Sequence, residues 1–395
     1  MLSKGINTRK IAVIGASYLQ VPLIKRAGEM GFETHTFAWL ENAVGQEYSD
    51  YFYPVSVREK DEILRICQEI APQGIISIGS DIAIETVNYV AGRMGLVCNS
   101  LECTKLTTNK YLMRKRLQDH QLPVPDFCRV TRDMLYDPKK ITLPVIVKPT
   151  DRSGSRAVTK VQKSELINKA LNNAFAESFC DEAIVEESLD GREISVEMIS
   201  WRGEHHFISC TDKTTTGAPY YVETAQHQPA DISKEIEENA VLIVKRALDA
   251  LEVQYGASHS ELLITQNNDI YIIEIGARMG GDCIGSDLVE LSTGYDYVSG
   301  VIEICTGKFS YIKRKHNGFA GICYCMPGPG KVINIIDNTD NYPEIRKKQV
   351  FVKAGDIIPE IKDSSARPAY FIYQSQDAGF KEESDSILKI ITQSE

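Results

Sequence analysis

Short apolar runs alternate with amphipathic stretches along the first 110 residues of the chain. Residues 10–15, 33–38 and 74–78 are brief, rich in Ile and Val or Thr, and bounded by glycine or polar residues, which predicts strands. Stretches near 19–30, 60–71 and 81–94 carry a helical period and follow those strands. The alternation predicts βαβ units and an open parallel α/β unit. A helix carrying Lys110 and Arg114 ends before Gln-Leu-Pro-Val-Pro at 121–125, where the prolines break it. Residues 143–200 read as strand, loop, helix, strand, strand. Residues 231–251 place Ile236, Ala240, Ile243, Ala247 and Leu251 on one helical face, and 258–276 reads as a hairpin. From about residue 311 the pattern is strand-rich with Gly and Pro turns, and a helix is expected near 378–390. The class is α/β, with α+β parts, and the pattern divides into three domains at 1–112, 113–310 and 311–395.

The hairpin changes the picture most. A two-residue turn at Asn267-Asn268 would set Glu261 opposite Glu274, with Leu263 and Ile272 next on the same face. Two carboxylates facing each other at ~5 Å repel unless something compensates. A divalent cation with oxygen ligands, Mg²⁺ or Mn²⁺, would do so. A solvated pair, or one protonated acid, would also do, although the flanking residues Leu262 to Ile264 and Ile272-Ile273 are apolar. Arg278 follows four residues after the second acid, on a loop with Gly276, Gly280 and Gly281. It suits a phosphate or carboxylate fork, or a pairing with Asp282 or Asp287.

Three further segments carry polar groups out of apolar strands. Leu143-Pro-Val-Ile-Val-Lys148-Pro ends on a lysine, and Ser153-Gly154-Ser155 lies in the small, polar loop after it. Such a loop can cover phosphates with backbone N–H groups, or be an ordinary exposed turn. Glu186 and Glu193 flank a tight turn and could accept from an adenine amino group or ribose hydroxyls, or simply be solvated. Gly15-Ala-Ser-Tyr-Leu-Gln20 lacks the second and third glycines of a dinucleotide fingerprint, which counts against a nicotinamide-dependent oxidoreductase.

Composition narrows the class. Hydrophobic residues at 43% and charged residues at 25% are ordinary for a globular chain. A net charge of −10 argues against a nucleic-acid-binding surface, while leaving room for a local phosphate pocket. No apolar run reaches the ~18 residues of a membrane span. The ten cysteines are scattered singly, and the N-terminus runs straight into a strand; both suggest a cytoplasmic protein without a signal peptide.

Taken in order, the Lys148 strand and its loop, Glu186-Glu187-Ser-Leu189 with Glu193, and Glu261 with Glu274-Ile-Gly-Ala-Arg278 resemble the ATP-grasp superfamily of carboxylate–amine (or thiol) ligases. The likeness is nearest to the L-amino acid ligase branch. Phosphoribosylglycinamide synthetase, biotin carboxylase and carbamoyl phosphate synthetase are relatives, and a purine-pathway or carboxylase-like activity is the alternative. The resemblance implies an N-terminal α/β domain, a central ATP-grasp fold with a small lid at about 125–190, and a C-terminal β-rich domain. It implies that ATP and Mg²⁺ (or Mn²⁺) are bound and that an amide forms through an acyl phosphate, with release of ADP and phosphate. Lys110, Lys148, Ser153, Gly154 and Ser155 would meet the phosphates. Glu186, Glu187 and Leu189 would meet adenine, and Glu193 the ribose. Glu261 and Glu274 would hold the metal, and Arg278 and Lys148 would act in catalysis. Lys213, Glu223, Gln226, His227, Arg278, Gly280 and Gly281 would meet substrates, small-molecule acids and amines such as amino acids. The branch commonly places Glu-x-x-His in the substrate segment; here Gln226 fills the histidine slot and His227 follows it. A homodimer fits the resemblance; nucleic-acid and membrane partners do not.

Overall fold

The structure, a computed structural model, describes residues 9–134, 136, 141–380 and 386–393. The N-terminal residues that bear on a signal peptide lie outside that range, as does part of the helix expected at 378–390.

The N-terminal unit is a parallel sheet in the spatial order Tyr51–Tyr53, Glu33–Phe37, Lys10–Ile14, Gly74–Ile76. Both faces of its central strand are buried, as a parallel sheet requires. Ile11 and Val13 pack with Leu23 and Ile24 on one side, while Ala12 and Ile14 pack with Ile63 and Cys67 on the other. The helices Val21–Glu29 and Lys60–Ile70 supply those side chains, and Asp81–Arg93 adds Ala83 and Val87 to the second cluster. Ser80 caps the last of these by accepting from the Ala83 N–H. Two more helices, Leu101–Thr108 and Lys110–Asp119, meet at Asn109, whose side chain caps the second.

Beyond the proline pair comes a four-stranded antiparallel sheet in the order Phe127–Thr131, Glu182–Glu187, Val145–Pro149, Thr159–Val161. The helix Ile167–Glu177 closes its apolar face through Ile167, Ala170, Leu171 and Ala174. The third layer is an eight-stranded sheet, with Ile270–Gly276, Tyr255–Ile264, Arg192–Trp201, Glu204–Thr215 and Glu223–Gln228 side by side. It continues through Phe319–Tyr324, Ala369–Ser375 and Ile345–Val350, so hydrogen bonding does not stop at residue 311. The helix Lys234–Ala250 buries Ala240, Val244, Ala247 and Leu248 against the sheet.

The last described segment corrects the expected C-terminal helix. Leu388–Gln393 is a strand paired with Gly330–Asp337 in a three-stranded sheet. Leu388 and Ile390 are buried while Lys389 is exposed, a period of two that a helical reading overlooks. Among the described residues, no helix is long and apolar enough to cross a membrane.

Candidate active site

A cleft of about 1190 Å³, including its open mouth, lies between the four-stranded lid sheet and the eight-stranded sheet. Lys148, Ser153, Gly154, Ser155, Glu186, Glu187 and Leu189 line it from the lid. Lys110, Glu193, Lys213, Glu223, Glu261, Glu274 and Arg278 line it from the other side. Residues separated by up to 168 positions in sequence thus share one cleft, because the lid hangs over the face of the sheet that carries the hairpin.

The hairpin does set Glu261 opposite Glu274, but by another route than a two-residue turn. Ile264 pairs with Ile270, and the turn spans Gln266 to Asn268, with Asn268 at φ +64° and its N–H donating to the Thr265 carbonyl. An Asn accepts this left-handed conformation readily, which suits a longer hairpin loop. Leu262 therefore faces Ile272, and Leu263 faces Tyr271 in place of the expected Ile272. A bulge between Glu261 and Leu262 then restores the acidic pair.

Each acid of the pair is met by a lysine. Lys110 Nζ donates to Glu274 Oε1 at 3.0 Å and to the Arg152 carbonyl at 2.6 Å. Lys213 Nζ donates to Glu261 and lies 3.8 Å from Glu223 Oε1. His259, two residues before Glu261 and on the same strand face, sits between Glu197 Oε1 at 2.6 Å and Glu261 Oε1 at 3.4 Å. Burial pushes the imidazole down, but Glu197 and Glu261 overcome it and lift its pKa to about 9. Burial likewise works against the Glu261 carboxylate, yet Lys213 and His259 hold it well below the usual carboxylate range.

Glu186 is a buried hub. Lys148 Nζ stands 2.5 Å from one of its oxygens and Arg114 Nε 2.7 Å from the other. Burial raises its carboxyl, and Arg114 and Lys148 more than reverse that. Arg114, fully buried, also donates to the Ile273 carbonyl, so this contact ties lid, helix and hairpin together. The Glu187 N–H is engaged by the Asp126 carbonyl at 2.8 Å.

Arg278 forks onto Asp81, with Nε to Oδ1 at 2.7 Å and Nη2 to Oδ2 at 3.0 Å. The two acids nearer in sequence are taken elsewhere: Asp282 by Arg367 and Asp287 by Lys347 at 3.1 Å. In the covering loop, Gly154, Ser155 and Ala157 all have positive φ, at +70°, +59° and +53°. The two non-glycine residues hold a conformation that costs them energy, a feature common at functional loops.

Four of the expected substrate residues do not line the cleft. Gln226 is buried and donates to Asp282 at 3.0 Å. His227, its neighbour on the strand, points to the opposite face, where its Nδ1 lies 2.9 Å from the Tyr373 hydroxyl. Gly280 backs onto the acidic cluster: a Cβ there would lie 2.9 Å from His259 Nδ1 and 3.2 Å from Glu197. Gly281 has open space, with only the Gly79 carbonyl at 4.0 Å.

Sequence reasoning missed Asp81, His259, Glu197, Arg152, Arg156 and Arg367. His259 carries a signal in the sequence, since i and i+2 share a strand face and Glu261 stands two residues on. Asp81 also carried a signal, as the first residue of a helix at the C-terminal end of a parallel strand, where such sheets present ligands. Arg367 carried none, because its partner lies 85 residues away.

Residues 141–287 match the ATP-grasp domain family. The D-alanine–D-alanine ligase of Flavobacterium johnsoniae is 31% identical over 148 residues, which cover 36% of this chain and 45% of that relative. The match therefore spans less than half of the curated relative's length. Among solved structures, L-amino acid ligase from Bacillus licheniformis superposes with a TM-score of 0.83 at 22% identity, over 98% of this chain and 99% of that one. Phosphoribosylglycinamide synthetase from Anaerococcus prevotii gives 0.78 at 20% identity, over 98% and 100%. At these identities the likeness speaks for the fold alone, and that fold extends along the whole described chain. The domain match covers the lid strand of Lys148, the hub at Glu186 and the acidic hairpin, and this stretch of the chain is similar to the ATP-grasp domain family.

Proposed function

We propose that the chain is an ATP-dependent carboxylate–amine ligase that forms an amide or peptide bond through an acyl phosphate. The observation that carries this reading is the facing pair Glu261 and Glu274, each matched by a lysine in one cleft. Among the described residues there is no cluster of three or more His, Cys, Asp or Glu side chains able to hold a metal alone. Two carboxylates fit Mg²⁺ (or Mn²⁺) when phosphate oxygens complete its shell, as ATP would supply. The cation would be held by Glu261 and Glu274 and would neutralise developing phosphate charge.

This chain's own groups do the rest. Lys110 and Lys148 exchange their carboxylate partners for ATP phosphates, and the Ser153–Ser155 loop closes over them. Release of Lys148 leaves Glu186 one oxygen free to meet adenine, with Arg114 still holding the other; Glu187 and Leu189 would complete that contact, and Glu193 would take the ribose. An oxygen of the acid substrate attacks the γ-phosphorus as the bond to ADP breaks. The amine nitrogen then attacks the acyl carbon, the C–O bond to phosphate breaks, and the amine's proton leaves with phosphate. Arg278, aimed by Asp81, steadies the charge in both steps. The lid excludes water that would hydrolyse the acyl phosphate. Glu223 and Lys213 stand where an amino-acid substrate would meet them, with Gln226 reaching them through Asp282 and Arg367.

The experiment is a screen for ADP and phosphate release over amino acids singly and in pairs, with the products analysed for new amide bonds. ADP and phosphate in step with amide formation are expected. AMP and pyrophosphate would overturn the proposed chemistry.

A further inference from the structure

A second cavity opens beside the nucleotide cleft, between the N-terminal unit and the lid, and Arg152, Ser153 and Arg156 line both. Four cationic side chains border it: Arg58 and Lys60 from the N-terminal unit, Arg152 and Arg156 from the lid. Among the described residues each of its acids has a partner, although Asp151 Oδ1 is buried without a hydrogen bond. Glu85 pairs with Lys60 at 2.9 Å, and Asp81 is forked by Arg278. Asp151 Oδ2 accepts from the N–H groups of Phe179 and Cys180 at 2.9 and 3.0 Å. Arg152 is matched by Glu177 at 3.2 Å. Among the described residues, neither Arg58 nor Arg156 has a carboxylate within 4.0 Å.

The surplus charge is also held in place. The ring of Phe179 meets two guanidinium groups, Arg58 at 4.5 Å and Arg152 at 4.3 Å from its centroid. Cation–π contact on one ring fixes an arginine of the N-terminal unit beside an arginine of the lid. Like charges gathered in a concave site repel one another unless an anion joins them, and in a chain of net charge −10 they mark a local exception. Asp81 borders this cavity and also orients Arg278, so the cavity adjoins the proposed reaction centre.

We propose that the crevice between Arg58 and Arg156 binds a second anionic group of the substrate, a carboxylate or a phosphate distant from the reacting carboxylate. The proposal rests on the ligase reading and deepens it: the preferred acid is dianionic. Arg58 and Arg156 act as specificity-determining contacts, and both lid and N-terminal unit must be present for the site to exist.

The test is calorimetric titration of the full chain, loaded with MgADP, using L-glutamate against L-glutamine and O-phospho-L-serine against L-serine. At least one anionic probe is expected to bind tenfold or more tightly than its neutral counterpart. Which of the two does so tells carboxylate from phosphate. Arg58→Ala and Arg156→Ala should each remove that advantage, whereas Arg202→Ala, at a turn outside the crevice, should keep it. Equal affinity within both pairs, no binding of either anionic probe, or an advantage that survives both variants overturns the proposal. Binding of MgADP itself reports separately on the parent reading; if it fails, the probes are titrated into the nucleotide-free chain and the crevice is judged by the same criteria.

Discussion

Glu274 shows how much a single carboxylate can carry. It faces Glu261 across the hairpin and accepts from Lys110, and Glu274→Gln keeps its size while removing its charge. We expect that variant to lose ATP turnover by about 10²–10³-fold or more, the usual scale for removing one transition-state charge partner. Its thermal melt should stay close to that of the parent; ADP release and a melting curve check both. Asp282 offers a pH test. Burial works to raise its carboxyl, but Arg367 holds it below the usual carboxylate range. A depressed carboxylate contributes stability above its unfolded pKa of ~3.9, and that contribution is lost as pH falls through the folded value. Arg367→Met would strand a buried charge and should cost about 3–5 kcal/mol at pH 7. Without its arginine, the Asp282 pKa should rise, so the gap between variant and parent should narrow as pH falls from 7 to 4.5. Urea unfolding at the two values measures this, and a constant gap would rule out the ion pair as the cause.

At the scale of elements, the hairpin and the turn beside it decide where the acids stand. Gly191 lies in the turn between Glu182–Glu187 and Arg192–Trp201, and a Cβ there would come within 2.4 Å of the Ile264 carbonyl and 2.5 Å of Leu263. Both neighbours belong to the strand that carries Glu261. Gly191→Ala must push that strand end away, so it should destabilise the chain by about 1–3 kcal/mol, as overpacking does. A lowered melting temperature together with weaker nucleotide binding is the expected pair of readings. The existence of this hairpin was legible because Asn267-Asn268 sits between apolar strands. Its loop length was not, since a bulge between Glu261 and Leu262 compensates for the different turn and returns the same acidic pair. Two errors in register cancelled at the one position that mattered. The C-terminal helix failed for a different reason: the pairing of Leu388–Gln393 with Gly330–Asp337 is non-local, and short apolar runs do not declare their partner.

Across the whole molecule, the site exists only because three units meet. Asp81 comes from the N-terminal unit, Lys148 and Glu186 from the lid, and Glu261, Glu274 and Arg278 from the large sheet. The contact of Asp81 with Arg278 crosses from the first unit to the last of these, as do Lys110 with Glu274 and Asn99 with the Tyr255 carbonyl. Asp81→Asn should keep MgADP binding, because Asp81 does not line the nucleotide cleft, yet lower kcat/KM about 10–100-fold by freeing Arg278. Calorimetry with MgADP and steady-state ADP release separate the two effects. Loss of nucleotide binding would show that the contact serves the cleft as a whole.

The linear chain by itself determined the alternation of strands and helices, the acidic pair, the lysine strand and the order of the motifs. All of these rest on local period or short spacing, which physics writes into neighbouring residues. Tertiary structure alone decided that Arg278 pairs with Asp81 and not with Asp282, that Arg367 takes Asp282, and that His227 turns away while Gln226 turns in. It also decided that Arg58 and Arg156 share one crevice. Each of these depends on which surfaces are pressed together at long range, where burial makes an unpaired charge costly and selects its partner by proximity in space.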